Sequence, residues 1–411
     1  MRLAREGHEA RIWIREEQAK HSGDGLVERA EDFRWGEVII ADCTGFGPIL
    51  DGMRADGRAV FGGSSLHDKL ENDRQFSKEV FQQCNIRTPE SAYLIGPDSW
   101  EKGKELISAY DGDSKLVFKP GGNCSGVVPS YVPSDNEDLL KMLEYYKSKM
   151  GDIEPEFELQ EFHEGIAVST EGWFNGEEFV VPYNQTLETK SLMNGNLGPS
   201  GGCTGNVVWP EVEGPTIEYL LSLTPFLREH GYCGPIDLNC IVGKDGIFAL
   251  EFTPRFGYDA FPTLLYSLFD GDFGEFIYDM AMGNLPREMS MKTGCGAGIR
   301  MTIPPWPSYE MADGDHLAPK GIPIRGIGLE SLYPFDVCLK GDELISSGGY
   351  GCIGVVNAYG DTIGEAFAEA YKICKKVRIP SVQYRTDLME TFQSEHRKLA
   401  RILSSEIVAA E

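Results

Sequence analysis

Short apolar runs and amphipathic stretches follow one another along this chain, and their periods predict the elements. Met1–Arg5 reads as the tail of a helix stopped at Gly7, and Ala10–Ile14 as a strand. Val38–Ala41 is a second strand, Ile49–Ala55 a short helix and Ala59–Phe61 a third strand. That strand–helix–strand rhythm indicates a parallel sheet. A parallel sheet that opens on a helix tail lacks its first strand, a loss on the order of 20 residues given crossover units of about 30. A helix is predicted over Leu66–Cys84, then strands at Lys115–Lys119, Glu158–Phe162 and Ala167–Phe174, with helices at Asn136–Lys149 and Thr216–His230. Asp237–Val242 and Ile247–Phe252 flank Gly243-Lys244-Asp245-Gly246, a hairpin signal. Ala297–Thr302, Cys352–Ala358 and a helix over Thr362–Val377 close the pattern. The fold class is α/β and α+β.

Composition narrows the function. The 411 residues leave room for two to four domains, and 41% apolar with 25% charged residues excludes a disordered or fibrous chain. Against 38 Lys and Arg stand 64 Asp and Glu, a net charge of −26. A nucleic-acid partner is disfavoured, because phosphate backbones demand an excess of cations. A small phosphorylated ligand, needing only a few placed cations and backbone N–H groups, is not. No apolar run approaches the roughly 20 residues that span a bilayer, and no signal-peptide core opens the chain. The ten cysteines form neither a CxxC pair nor a zinc-spaced cluster, so reduced thiols in a soluble, cytoplasmic protein are expected.

The segment Phe248-Ala249-Leu250-Glu251-Phe252-Thr253-Pro254-Arg255-Phe256-Gly257 carries the chemistry. Strand alternation sets Glu251, Thr253 and Arg255 on one face and Phe252 and Phe256 on the other. A carboxylate suits Mg²⁺, a hard cation that shares oxygen ligands with phosphates, and a guanidinium suits a transferring phosphoryl group. On the preceding strand Asp237 and Asn239 also share a face, and the hairpin can set it beside Glu251. An exposed strand face with an ion pair is the plain alternative.

The same segment, Glu-Phe-Thr-Pro-Arg-Phe-Gly, resembles the E-x-N-x-R signature of ATP-grasp ligases, in the E-F-N-x-R-F-G form of the phosphoribosylamine–glycine ligase family. Leu197–Gly205 is similar to that family's G-P-N-T-G-G-M-G loop, Arg74–Lys78 with Ile86–Pro89 to its K-A-F-x-K…G-I-P-T helix and turn, and Gln160–Gly165 to its E-E-F-L-D-G hinge. Gly348–Cys352 and Tyr384–Asp387 resemble its C-terminal part, so the likeness spans nearly the whole chain. The resemblance implies an ATP-grasp fold: a truncated α/β domain over 1–65, an ATP-grasp domain over 66–294 and a small α+β domain over 295–411. It implies that ATP phosphorylates a carboxylate and an amine attacks the acyl phosphate, joining glycine to phosphoribosylamine in purine biosynthesis. Arg74, Lys119, Gln160, Glu161, Phe162 and His163 would then hold ATP. Gly198, Pro199, Ser200, Gly201, Gly202 and Arg255 would hold substrate. Glu251, Thr253 and Asn239 would hold Mg²⁺ or Mn²⁺, with Glu251 and Arg255 catalytic. Lys78, one helical turn from Arg74, reads as solvent-facing. Partners would be small molecules, an amine and an amino-acid carboxylate, with no nucleic acid or membrane, and the chain a monomer or weak homodimer.

The pattern is broken in places. Thr253 replaces the family's metal-binding Asn, and Gly165-Ile166-Ala167 stands where the family has G-E-E, removing an acidic partner for the ribose. The loop after Lys119 is shorter and lacks a lysine, Asp42–Pro48 replaces the family's substrate loop, and Tyr258 replaces an Asp. These losses keep two other readings open: a ligase for a different amine and amino acid, and a nucleotide-binding homologue with impaired catalysis.

Overall fold

A computed structural model of the chain describes residues 1–111, 114–307 and 318–410. Its centre is an eight-stranded antiparallel sheet. The strands lie in the order Gly246–Thr253, Gly234–Gly243, Ile166–Phe174, Phe179–Met193, Leu197–Glu211, Cys295–Thr302, Cys352–Gly360 and Leu332–Pro334. One face is apolar. Leu238, Val168, Leu187, Val207 and Ile299 bury there against Leu220 and Leu227 of the helices Pro215–Ser222 and Thr224–Glu229, Phe367 of Ile363–Cys374, and Leu388 and Phe392 of Leu388–Ala410. The other face carries Glu251, Asn239, Ser169 and Thr186 in one register row, with Thr253, Asp237 and Glu171 in the next. A period of two converts those sequence spacings into a polar floor.

A second sheet is smaller. Leu116–Pro120 and Ser91–Ile95 flank Glu156–Glu161, and the helices Ser99–Ala109 and Asn136–Met150 cover one side through Phe118, Phe157, Trp100, Leu139 and Leu143. Asp135 caps the second of these helices by accepting from the Asp138 N–H at 2.8 Å.

Several predicted elements change on folding. The helix expected over Leu66–Cys84 is two helices, Ser65–Asn72 and Arg74–Gln83. Asp73, extended at φ −109°, breaks the first and caps the second by accepting from Phe76 N–H at 3.0 Å. Thr216–His230 is likewise split at Leu223, ahead of Pro225, which has no N–H to continue the helical ladder. Gly198–Gly205, expected as a loop, is largely the start of a strand, and its partner Phe179–Met193 was not anticipated at all. At the N-terminus, Val38–Ile40 pairs in parallel with Ala59–Phe61, whereas Arg11–Ile12 pairs separately with Glu28–Arg29. The hairpin closes as expected, Gly243 opposite Gly246. Among the described residues no helix is long and apolar enough to cross a membrane.

Candidate nucleotide and substrate cleft

The helix Arg74–Gln83 is pinned to the sheet by Phe81, which stacks on Phe252 with ring centroids 4.2 Å apart. Both rings are buried, and removing either would cost about 3–5 kcal/mol. This packing sets Arg74 and Lys78 over the hairpin strand, with a small cleft between them. Its walls include Arg74, Lys78, Glu158, Gln160 and Glu251, a mix of charges suited to a polar ligand. Lys78 is therefore not solvent-facing: half-buried, it hydrogen-bonds Ser91 at the cleft wall.

The hairpin register brings the predicted oxygen donors together. Asn239 lies directly opposite Glu251 and Asp237 opposite Thr253, with a bulge just beyond that leaves Leu250 unpaired. Asn239 Nδ2 donates to Thr253 Oγ1 at 3.2 Å, and Asn239 Oδ1 accepts from Ser169 Oγ at 2.8 Å. One carboxylate and two neutral oxygens are enough to hold a Mg²⁺ that shares phosphate oxygens, so the donor set fits the ion. Desolvation opposes the ionisation of Glu251, but the charges of Lys190, Lys119, Arg74 and Arg255 prevail and hold its carboxyl below the usual value. Lys119 is pushed the other way: desolvation lowers it, with Glu251 and Glu158 offsetting part of the effect. Glu158 is its partner across the strand pair.

Pleating splits the hinge residues. Gln160 and Glu158 line the cleft. Glu161 points to the opposite face, where it accepts from Tyr110 O–H at 3.0 Å. Phe162 is half-buried beneath the Lys115 ammonium, 4.7 Å from its ring, and its N–H bonds Lys115 O at 2.8 Å. His163 stacks on Phe248 at 3.6 Å, tying the hinge to the hairpin strand, and Arg87 lies 4.1 Å from the same ring. Arg74 reaches the turn after Lys119, its Nε donating to Pro120 O at 3.1 Å.

Arg255 lies past the strand end, which falls at Thr253, so it occupies a turn rather than the strand face. Its Nε and Nη2 donate to Glu71 Oε1 at 3.2 and 2.9 Å, and the guanidinium stands 4.0 Å from the Tyr258 ring. Phe252 and Phe256, expected on one face, bury in different cores: Phe256 joins Phe61, Trp173 and Phe261. The glycine-rich segment Gly198, Pro199, Ser200, Gly201 and Gly202 lies at the far side of the sheet floor, with Gly198 and Gly202 left-handed at φ +78° and +79°. Its ladder register shifts on both sides of Ser200. Beneath Arg255, Asp237 and Glu171 face each other across adjacent strands, both buried. Burial pushes Glu171 up to about 7 despite its bond from Trp173 Nε1, and drives Asp237 upward too.

The residues the sequence did not point to are Glu71, Glu158, Lys190 and the buried pair Arg300–Asp259. Lys190 had a faint signal, the alternation Glu188-Thr189-Lys190, but lay in the strand that was not predicted. Glu71 and Arg300 are singled out only by long-range contacts.

No protein-family model matches the chain. The curated phosphoribosylamine–glycine ligases of Streptococcus pneumoniae strain R6 and Mycobacterium leprae are 26% and 23% identical to it, each over 384 residues. The matches cover 88% and 89% of this chain and 84% and 86% of theirs. Among solved structures, phosphoribosylamine–glycine ligase from Thermotoga maritima superposes with a TM-score of 0.68 at 19% identity, covering 94% of this chain and 95% of that one. A biotin carboxylase–βγ-ATP complex from Campylobacter jejuni gives 0.60 at 15%, over 85% of this chain and 76% of its own. The biotin carboxylase domain of Hydrogenobacter thermophilus 2-oxoglutarate carboxylase, in complex with MgADP, ADP and bicarbonate, gives 0.59 at 15% with the same coverage. The chain has the ATP-grasp fold and resembles phosphoribosylamine–glycine ligase along 88% of its length.

Proposed function

We propose that this chain is an ATP-dependent carboxylate–amine ligase that joins glycine to phosphoribosylamine, giving glycinamide ribonucleotide, ADP and phosphate. The observation that carries the reading is the set of cations, Arg74, Lys119, Lys190 and Arg255, whose charges act on the Glu251 carboxyl, beside a cleft lined by Arg74, Glu158, Gln160 and Glu251. These cations gather positive charge around one metal-competent carboxylate in a chain of net charge −26. We further take 1–65 as an N-terminal α/β domain, 66–294 as the ATP-grasp domain and 295–411 as a C-terminal α+β domain.

In this reading a glycine carboxylate oxygen attacks the γ-phosphorus and ADP leaves. The amine nitrogen then attacks the acyl carbon, phosphate departs and the amine's proton passes to solvent. Arg74 and Lys119 hold the phosphates, Gln160 and the hinge backbone face the base, and Phe162 and His163 shape that wall. Glu161, turned toward Tyr110, acts on the hinge from behind. Glu251, Asn239 and Thr253 would hold Mg²⁺, which when bound neutralises charge moving onto the leaving phosphate. Arg255, steered by Glu71, stabilises the transferring group, and the Gly198–Gly202 backbone approaches the substrate. No side-chain nucleophile is needed, since positioning and charge supply the rate.

Release of ADP by the folded full chain with glycine, phosphoribosylamine and MgATP tests the proposal. Turnover dependent on both substrates is expected. Its absence, or turnover only with a different amine or acid in a substrate panel, would reject this pair.

A further inference from the structure

Arg300 lies in the strand Cys295–Thr302 with only 6% of its side chain exposed. Nε donates to Asp259 Oδ2 at 2.9 Å, and Nη2 to Asp259 Oδ1. The third edge is turned elsewhere: Nη1 donates to the backbone carbonyl of Gly201 at 2.7 Å. The Trp306 ring lies 5.0 Å from the guanidinium, and a Cβ on Gly201 would stand 3.1 Å from Trp306 Nε1. Asp259 is itself fully buried and sits four residues after Arg255.

A buried ion pair is weak evidence of stabilisation, because desolvation offsets the attraction. The single bond from Nη1 to Gly201 gives this one a different meaning. The strand Leu197–Glu211 loses regular register with Phe179–Met193 between Leu197 and Gly205, so the ladder that would locate Gly198–Gly202 is interrupted there. Arg300 fixes the middle of the interrupted stretch, and with its other edge it fixes the turn that carries Arg255. Two segments far apart in sequence are thereby held at one spacing by a single planar cation, which a lysine cannot imitate because its ammonium is a point charge.

We infer that Arg300 is a positioning residue: it holds the Gly198–Gly202 backbone in register with Arg255 and so sets the acceptor side of the site, without acting on the nucleotide. This rests on the ligase reading above. The separating variant is Arg300→Lys, which keeps a cation beside Asp259 and gives up the Gly201 bond. KM for glycine and the amine should rise at least tenfold, KM for ATP should stay within twofold, and amide exchange should quicken at least tenfold across 198–205 but not across Gly234–Gly243. If the lysine variant does not fold, Gly201→Ala, which crowds Trp306, should give the same split in KM. Unchanged KM values, or an ATP KM rising in parallel, would overturn the inference. Should the parent protein turn over neither substrate, the ligase reading fails, and the exchange measurement still decides whether Arg300 holds the segment.

Discussion

The Arg255 guanidinium is clamped by one oxygen of Glu71, Oε1 standing 3.2 Å from Nε and 2.9 Å from Nη2, while Tyr258 flanks it at 4.0 Å. Two segments separated in sequence, the helix end that carries Glu71 and the turn that carries Arg255 and Tyr258, thus fix a single cation. Arg255→Lys loses both the fork and the stacking, and kcat should fall at least 100-fold, about 3 kcal/mol of transition-state stabilisation. Glu71→Gln keeps an acceptor and removes the charge, so kcat should fall about tenfold. Steady-state ADP release checks both, with thermal unfolding as the folding control. Equal activity in either variant would mean that this clamp does not serve the chemistry.

Glu251 is the one acid in the predicted metal set. Glu251→Gln should abolish turnover to below about 1% of parent while the fold persists, since it strips the metal set of its one negative charge. Thr253→Asn supplies a stronger neutral oxygen at the position where Asn239 Nδ2 already donates to Thr253. Half-maximal activity should then need less Mg²⁺, by about threefold or more, in a metal titration at fixed ATP. A higher requirement would place the metal elsewhere.

Lys190 leads the cations that depress the Glu251 carboxyl. It is exposed, so it is available to a ligand, and its removal leaves the core untouched. Lys190→Met should raise KM for ATP about tenfold with little change in Tm. An unaltered ATP KM would reduce Lys190 to a partner of Glu188.

Glu171 sits buried, bonded by Trp173, with its carboxyl raised to about 7 from an ordinary value of 4.5. A raised carboxyl binds more protons in the folded than in the unfolded chain between those values, so stability falls as pH rises from about 4.5 to 7 and is flat beyond. Glu171→Gln keeps the acceptor for Trp173 and removes the titration. The variant should be the more stable protein at pH 8, by up to a few kcal/mol, with the gap closing below pH 5. Denaturant unfolding across that range reads it, and a gap that does not change with pH would refute the assignment.

Where a feature is written in local spacing, the sequence showed it. The alternation in Glu251-Phe252-Thr253 and Asp237-Leu238-Asn239, with the Gly243–Gly246 turn, put the two polar faces side by side, but it is the bulge at Leu250, which the spacing did not show, that sets Glu251 opposite Asn239. The helix read over Thr362–Val377 is likewise present as Ile363–Cys374, which opens with a capping box between Thr362 and Glu365. Helix breaks were harder. Asp73 interrupts what the apolar period reads as one helix, because a capping carboxylate competes locally with the helical ladder. The long pair Phe179–Met193 and Leu197–Glu211 escaped notice because its strands mix core, polar and glycine positions without clean alternation.

What the sequence determined by itself was the fold class, the ATP-grasp resemblance and the list of chemically suited side chains, because periodicity and motif spacing are local properties. What only the tertiary structure decided was which of them meet. Glu71 reaches Arg255 across 184 residues and Arg300 reaches Gly201 across 99. Gln160 faces the cleft while its neighbour Glu161 turns away. Those relationships follow from sheet pleat, crossover topology and the burial of charge, which arise only when distant segments pack and exclude water from the groups between them.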